Sequence, residues 1–205
     1  ISTFIVEIEE AEEFDVGTIY KKVGQAGSPL CELNFNDLFV PESALLGYEN
    51  GGWKVLERTL VHSRTQIAAL GLGITRRAYD LVEKYSHERQ QFGKYLYEHQ
   101  DYKDHMDVLA RQVQILEHLV YRAALKEEAG DQYAFAWATL AKFVSGETAV
   151  DVAKDATLMH GGFGYIEDAV ISRVFRDSAV VRIYEGAAHI LKKILLKHEM
   201  PIALL

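Results

Sequence analysis

A chain of 205 residues, 49% hydrophobic and 25% charged, is long enough to bury a sizeable core and has the composition of an ordinary soluble globular protein. Its net charge of -8 argues against broad binding to nucleic acid or to an anionic membrane, while leaving room for a local basic patch that holds a phosphate. The single cysteine, Cys31, excludes an internal disulfide, and no segment reads as a signal peptide, a bilayer-spanning run or a low-complexity tract.

The first residues, Ile1 to Ile8, are β-branched and aromatic and read as a strand. They begin without a methionine, cap or turn, which suggests that sequence continues upstream. Thr18 to Val23 is a second strand-like run and Leu30 to Val40 a third, punctuated by Gly17, Gly24, Gly27 and Ser28. Cys31 falls in the third run, where a buried, inert thiol is expected. Three such strands are marginal alone, so they are expected to belong to a larger sheet. Pro41 and Gly47 close this part, and the boundary to a helical region is placed near residues 41 to 52.

From Gly52 the period becomes helical. Trp53 to about His87 carries Val55, Leu56, Leu60, Ile67, Leu70 and Ile74 at spacings of three and four. Gly71 and Gly73 inside it suggest a close approach by another helix or a ligand, since glycine costs ~1 kcal/mol against alanine there. A break follows at Gln90-Gln91-Phe92-Gly93-Lys94. The next helix is predicted from about His99 to Ala129, with one apolar stripe at Leu109, Val113, Leu116 and Val120 and another at Val108, Ile115 and Leu119. Two stripes predict packing on more than one side. Tyr133 to about Met159 reads as an alanine-rich helix with a small-residue face at Ala138, Ala141, Ser145 and Ala149. The last helix, from about Gly186, is expected to turn Ile190, Leu191, Ile194 and Leu195 inward and Lys192, Lys193 and Lys197 outward. The expected architecture is mainly α: a four-helix up-down bundle over residues 48–205, preceded at residues 1–47 by part of a β-sheet domain.

Glu185 stands where a polar loop meets that last helix, in Arg182-Ile183-Tyr184-Glu185-Gly186-Ala187-Ala188-His189. A helix N-terminus favours its charge, and burial beside an apolar ligand would make it a stronger base. Acidic residues in a first turn more often only stabilise the helix. His62, His105, His118, His160 and His198 are scattered without metal-ligand spacing, and no serine sits in a nucleophile elbow.

Four motifs carry a resemblance: Ser63-Arg64 followed by Ala68-Ala69; Glu88-Arg89-Gln90-Gln91-Phe92-Gly93-Lys94; Gly161-Gly162-Phe163-Gly164-Tyr165; and Tyr184-Glu185-Gly186. In order and spacing the chain resembles the C-terminal half of the acyl-CoA dehydrogenases. The strands ending in Phe39-Val40-Pro41 and Leu45-Leu46-Gly47 look like the end of that family's middle β-domain, and the helices look like its bundle.

The resemblance implies FAD-dependent α,β-dehydrogenation of an acyl-CoA, with Glu185 as the base that removes the α-proton. Ser63 occupies the position where other branches carry the acid, and a serine is no base at neutral pH. Arg89 and Phe92 match residues that reach FAD across a subunit interface, against the plainer reading of a surface arginine and a turn aromatic. Gln91, His99 and Gln100 are weaker candidates at the same cofactor, since such residues often serve as caps. Gly161 and Gly162 match a backbone approach to the adenosine half of FAD, or else simply stop a helix. Arg64, Tyr184 and Gly186 match residues around the reacting thioester, although Arg64 could equally be a structural ion pair. His189 is placed at the cofactor with them.

Three positions depart from the family. Leu158 replaces a common glutamine, leaving only a backbone contact to FAD. Ala187 replaces a threonine, removing a hydroxyl contact to the flavin. Val61 replaces an acidic residue that helps bind CoA in some relatives. An acyl-CoA oxidase and a non-catalytic partner subunit are the alternatives. The implied partners are an electron-transfer flavoprotein and copies of the chain itself, as a dimer or tetramer; bacterial cytoplasm and mitochondrial matrix both fit.

Overall fold

The computed structural model describes residues 1–8 and 12–197, so His198 lies outside the described residues. The chain forms two compact units, residues 1–60 and the remainder from Val61.

In the first unit, β1 (Thr3–Phe4) and β2 (Phe14–Ile19) are followed by β3 (Cys31–Phe35) and β4 (Leu45–Leu46). β1 pairs antiparallel with β4, and β2 with β3, as two separate ladders. The pairing is shorter than the sequence predicts. The second strand lies at Phe14–Ile19 rather than Thr18–Val23, because Phe14 pairs with Phe35 and their rings meet at 5.2 Å. The third ends at Phe35, since Asp37 turns the backbone left-handed at φ 55°. A two-stranded ladder has little to bury against. Ile19, Leu33, Phe35 and Phe39 are therefore exposed, and Cys31 is half-buried rather than buried.

The helices are α1 (Gly52–Glu88), α2 (Gln100–Glu128), α3 (Ala134–Met159), α4 (Val170–Ser178) and α5 (Ala188–Lys197). The molecule is mainly α, as the periodicity predicts. Between α1 and α2 the predicted break is a hairpin, β5 (Gln90–Gln91) with β6 (Lys94–Tyr95), closed by Phe92 and Gly93 at φ 51° and 78°.

The second unit is built around α3. Its small-residue face is fully buried at Ala138, Ala141, Ser145 and Ala149. One core cluster joins Ala68 of α1, Leu116, Val120 and Ala123 of α2, and Trp137 and Ala141 of α3. The other joins Ala78 and Val82, Leu109, Val152, Ala153 and Ala156, and Ile171 and Val174 of α4. Burying a leucine such as Leu116 is worth about 2 kcal/mol. A Cβ at Gly71 would lie 2.0 Å from Ser145 Oγ, which donates to the Ala68 carbonyl at 2.8 Å. Gly71 therefore lets α1 and α3 approach; Gly73 faces open space.

Three expectations change here. The stripe Leu109, Val113, Leu116 and Val120 is buried, but Val108 and Ile115 of the second stripe are exposed. In α5 Leu191 is fully buried while Ile190 is exposed. Helix α4 was not predicted. Its nine residues interleave Ile171 and Val174 with Arg173 and Arg176, too short a span for a period to emerge.

Candidate active site

Between α4 and α5 the chain turns sharply. A short 3-10 turn at Ala179–Arg182 leads into Ile183, Tyr184, Glu185 and Gly186. Glu185 adopts φ 55° and Gly186 φ 112°. A left-handed conformation costs an L-residue on the order of 1–2 kcal/mol, so the surroundings must hold it. Glycine suits position 186: at φ 112° an L side chain is strained, and a Cβ there would lie 2.7 Å from Cδ2 of buried Leu191.

The holding groups come from α1 and α3. Arg64 Nε donates to the Glu185 carbonyl at 3.1 Å, and Arg64 Nη1 donates to Thr139 Oγ1 at 2.9 Å. The guanidinium also lies over the Phe135 ring at 5.0 Å. Lys142 Nζ donates to the Gly186 carbonyl at 2.5 Å. Ser63 Oγ donates to Glu185 Oε2 at 2.6 Å, a charge-assisted bond that orients the carboxylate. Arg64 is 3% exposed and Lys142 1%. Burial pushes the Arg64 guanidinium down from its ordinary value, while the Glu185 charge pulls it back up. Burial, then the Arg64 charge, push the Lys142 ammonium down to about 8, against the pull of Glu185 and Glu147.

Glu185 does not lie in the first turn of a helix. It precedes α5, whose first bonds run from Ile190 N–H and Leu191 N–H to the Ala187 carbonyl at 2.8 and 3.1 Å. Its place is set by the turn and the two cations. Tyr184 and Ala187 beside it are half-buried, and His189 is exposed.

A second feature of the same unit is a cleft of about 840 Å³. Its lining includes Arg89, Gln91, Leu158, Gly161 and Gly162 of the predicted residues, together with Tyr85, Tyr102, Asp155, His160 and Phe163. Tyr85 stacks on His160 at 4.5 Å and on Phe163 at 5.9 Å, giving the cleft a flat aromatic wall. His160 Nδ1 donates to the Ala156 carbonyl at 2.7 Å, and burial pushes the imidazole below its usual value. Gly161 turns at φ 59°, and neither it nor Gly162 has an atom within 4 Å of where a Cβ would stand. With its amide oxygen toward the guanidinium, Gln91 accepts from Arg89 Nη2 at 2.7 Å.

Five residues predicted at the cofactor are not in the cleft lining: Ala187 and His189, which lie beside the Glu185 turn, and Phe92, His99 and Gln100. Phe92 stands at the hairpin tip, 94% exposed. His99 Nε2 donates to the Gln91 carbonyl at 3.1 Å, and Gln100 Nε2 donates to Asp104 Oδ1 at 2.8 Å. The latter two have local partners that brace the hairpin and the start of α2. Sequence reasoning missed Tyr85, Tyr102, His160 and Lys142. Lys142 carries a signal in hindsight: it is a charge within an alanine face.

The family model for the acyl-CoA dehydrogenase C-terminal domain matches residues 50–200. The chain belongs to the acyl-CoA dehydrogenase family. It is 35% identical over 190 residues to cyclohexane-1-carbonyl-CoA dehydrogenase of Geobacter metallireducens, covering 93% of this chain and 50% of that protein. It superposes on butyryl-CoA dehydrogenase from Megasphaera elsdenii with a TM-score of 0.92 at 33% identity, over 96% of this chain and 51% of that one. A structure described as the FAD complex of PigA gives 0.89 at 26% identity, over 96% and 51%. The chain thus spans about half the length of these acyl-CoA dehydrogenase relatives.

The cleft suits a flavin dinucleotide by its own chemistry. Tyr102 Oη is buried with no hydrogen-bond partner among the described residues, so a polar ligand would satisfy it. Burial, then Tyr85, push that phenol up to about 12, so it is a donor at neutral pH. Arg89 offers a planar fork to a phosphate, the glycines admit a close backbone, and Tyr85 and Phe163 offer ring faces. Asp101 and Asp155 also line the cleft, so Arg89 supplies its positive charge beside two carboxylates.

Proposed function

We propose that this chain carries the catalytic base and part of the cofactor site of an FAD-dependent acyl-CoA dehydrogenase, which converts an acyl-CoA to the 2-enoyl-CoA. The observation that carries this reading is the Glu185 carboxylate, held half-buried by Ser63 and by the cation-braced turn. Oε2 is engaged by Ser63; among the described residues Oε1 remains the oxygen through which Glu185 takes the α-proton. Bound FAD would supply the acceptor for the β-hydrogen, which leaves as hydride while the Cα–Cβ double bond forms. Arg64 and Lys142 hold the Glu185 and Gly186 carbonyls, so the carboxylate is presented from a fixed turn. Tyr184 and Gly186 flank the thioester. Ala187 and His189 would stand on the cofactor side, where Ala187 would provide no hydroxyl.

Arg89, Gln91, Leu158, Gly161 and Gly162 hold the dinucleotide, with Phe92, His99 and Gln100 at its margin. Phe92 is a left-handed, 94% exposed aromatic, which is costly unless a partner covers it. Together with exposed Val108 and Ile115, this supports a homo-oligomer, a dimer or tetramer, in which copies complete one another's cofactor sites. An electron-transfer flavoprotein is the proposed acceptor. The named dehydrogenase relative is bacterial, which favours bacterial cytoplasm. Among the described residues no helix is long and apolar enough to cross a membrane. The match to the C-terminal domain over residues 50–200 supports reading 48–205 as the helical domain, and the antiparallel ladders before it support reading 1–47 as the end of a β-domain.

The test is Glu185→Gln in the complete flavoenzyme. Flavin absorbance is expected to persist while bleaching by acyl-CoA slows by about 10²- to 10⁴-fold, the range of a lost general base. Bleaching at the normal rate would remove Glu185 from this role.

A further inference from the structure

Lys142 is a buried, ionisable side chain that the proposed chemistry does not use directly. A lysine kept only to fill space on an alanine face would be met more cheaply by leucine or methionine, because burying an ammonium is costly. Its Nζ reaches across from α3 to one acceptor, the carbonyl of Gly186, at 2.5 Å. Arg64 reaches from α1 to the preceding carbonyl, that of Glu185, at 3.1 Å. Two buried cations thus grip two successive peptide units, and those units are the ones with φ of 55° and 112°.

We infer that Lys142 is a positioning residue for proton abstraction: by binding the Gly186 carbonyl it locks the Glu185–Gly186 turn and so aims the carboxylate. The inference rests on Glu185 being the base. Ser63 holds the carboxylate and Arg64 the Glu185 carbonyl, but without Lys142 the next peptide, that of Gly186, is free to rotate and to carry the turn with it. The second grip removes that freedom, and positioning to within a fraction of an ångström is what a proton transfer demands. The charged groups facing Lys142 are Arg64 from α1, Glu185 from the turn and Glu147 on its own helix. Glu147 is held by Arg182 at 2.9 and 3.0 Å; among the described residues Lys142 forms no ion pair with a carboxylate and directs its donor at the backbone.

The experiment follows hydrogen–deuterium exchange at the α-carbon of acetyl-CoA by the complete flavoenzyme. Acetyl-CoA has no β-hydrogen, so exchange reports proton abstraction without any transfer to the flavin. Lys142→Met, which keeps the length and loses the donor, is expected to slow exchange at saturating thioester by about 10- to 100-fold, the worth of one charge-assisted hydrogen bond. Flavin absorbance should be retained and the half-saturating thioester concentration should move less than about 3-fold, since positioning acts on the step rather than on binding. Lys142→Ala should regain part of the exchange when propylammonium is added. Unchanged exchange in Lys142→Met overturns the inference, as does a loss that propylammonium leaves untouched. Failure of both variants to hold flavin also overturns it, by making Lys142 a residue of folding alone. Glu185→Gln separates the two readings: persistent exchange there overturns the base assignment, whereas its loss beside a normal Lys142→Met overturns only the positioning role.

Discussion

The Glu185 turn and the hairpin–glycine cleft belong to the same unit but are built on opposite plans. At the turn, every strained backbone group is answered from within the chain: Arg64 and Lys142 are buried, and Ser63 and Thr139 complete the cluster. At the cleft the strained residues are outside. Phe92 and Gly161 turn left-handed in the open, Leu158 is 70% exposed, and Tyr102 Oη lacks a partner among the described residues. The difference teaches that the proposed proton-transfer group is pre-organised by the fold, whereas the proposed ligand-holding groups are left uncovered by it.

The sharpest way to break the first half of this contrast is Gly186→Ala. The added Cβ meets Leu191 at 2.7 Å on a backbone at φ 112°. The substitution should destabilise the protein by about 3 kcal/mol and cut turnover further than its effect on FAD affinity. Denaturant unfolding together with flavin titration measures both; a variant as stable as the parent would show that the turn is not under constraint.

Arg89→Ala probes the other half. It lines the cleft on an exposed segment, so folding should change by less than about 0.5 kcal/mol. FAD affinity should fall by about 10- to 100-fold, the worth of a hydrogen bond to a charged group. Turnover at saturating FAD should stay near the parent value. Equal loss of stability and affinity would erase the distinction between the two regions.

The smallest effect is on pH. His160 is buried, with its imidazole pushed below the usual value, so the folded protein binds its proton less readily than the unfolded chain does. The stability it contributes is present above the unfolded value near 6.5 and is lost as pH falls below it. His160→Phe keeps a ring against Tyr85 and should flatten that acid loss. Melting temperatures between pH 7.5 and 5 report the change, and parallel curves for both proteins would sink it.

Much of the helical unit was legible before any coordinates. The ends of α1, α2 and α3 fall within about two residues of where period and glycine signals put them, as boundaries usually do. The strand region was read less well. Ile1 to Ile8 and Leu30 to Val40 look like long strands by composition, but strand length depends on a pairing partner that composition does not name. At the site, Glu185, Arg64 and Gly186 were identified by motif and do come together. Lys142 and His160 were not: a histidine at a helix end resembles any solvated residue, and a charge within an alanine face marks Lys142 as unusual without naming its partner.

By itself the sequence determined the helical period, the small-residue face of α3 and the placing of a carboxylate beside a glycine, because these are matters of local spacing and residue type. Only the tertiary structure decided that Ser63 and Arg64, more than a hundred positions away, meet Glu185, and that Lys142 closes on Gly186. The physical reason is that a buried hydrogen bond depends on which helix faces come within about 3 Å of each other, and that depends on how whole faces pack, as Gly71 lets α1 and α3 do.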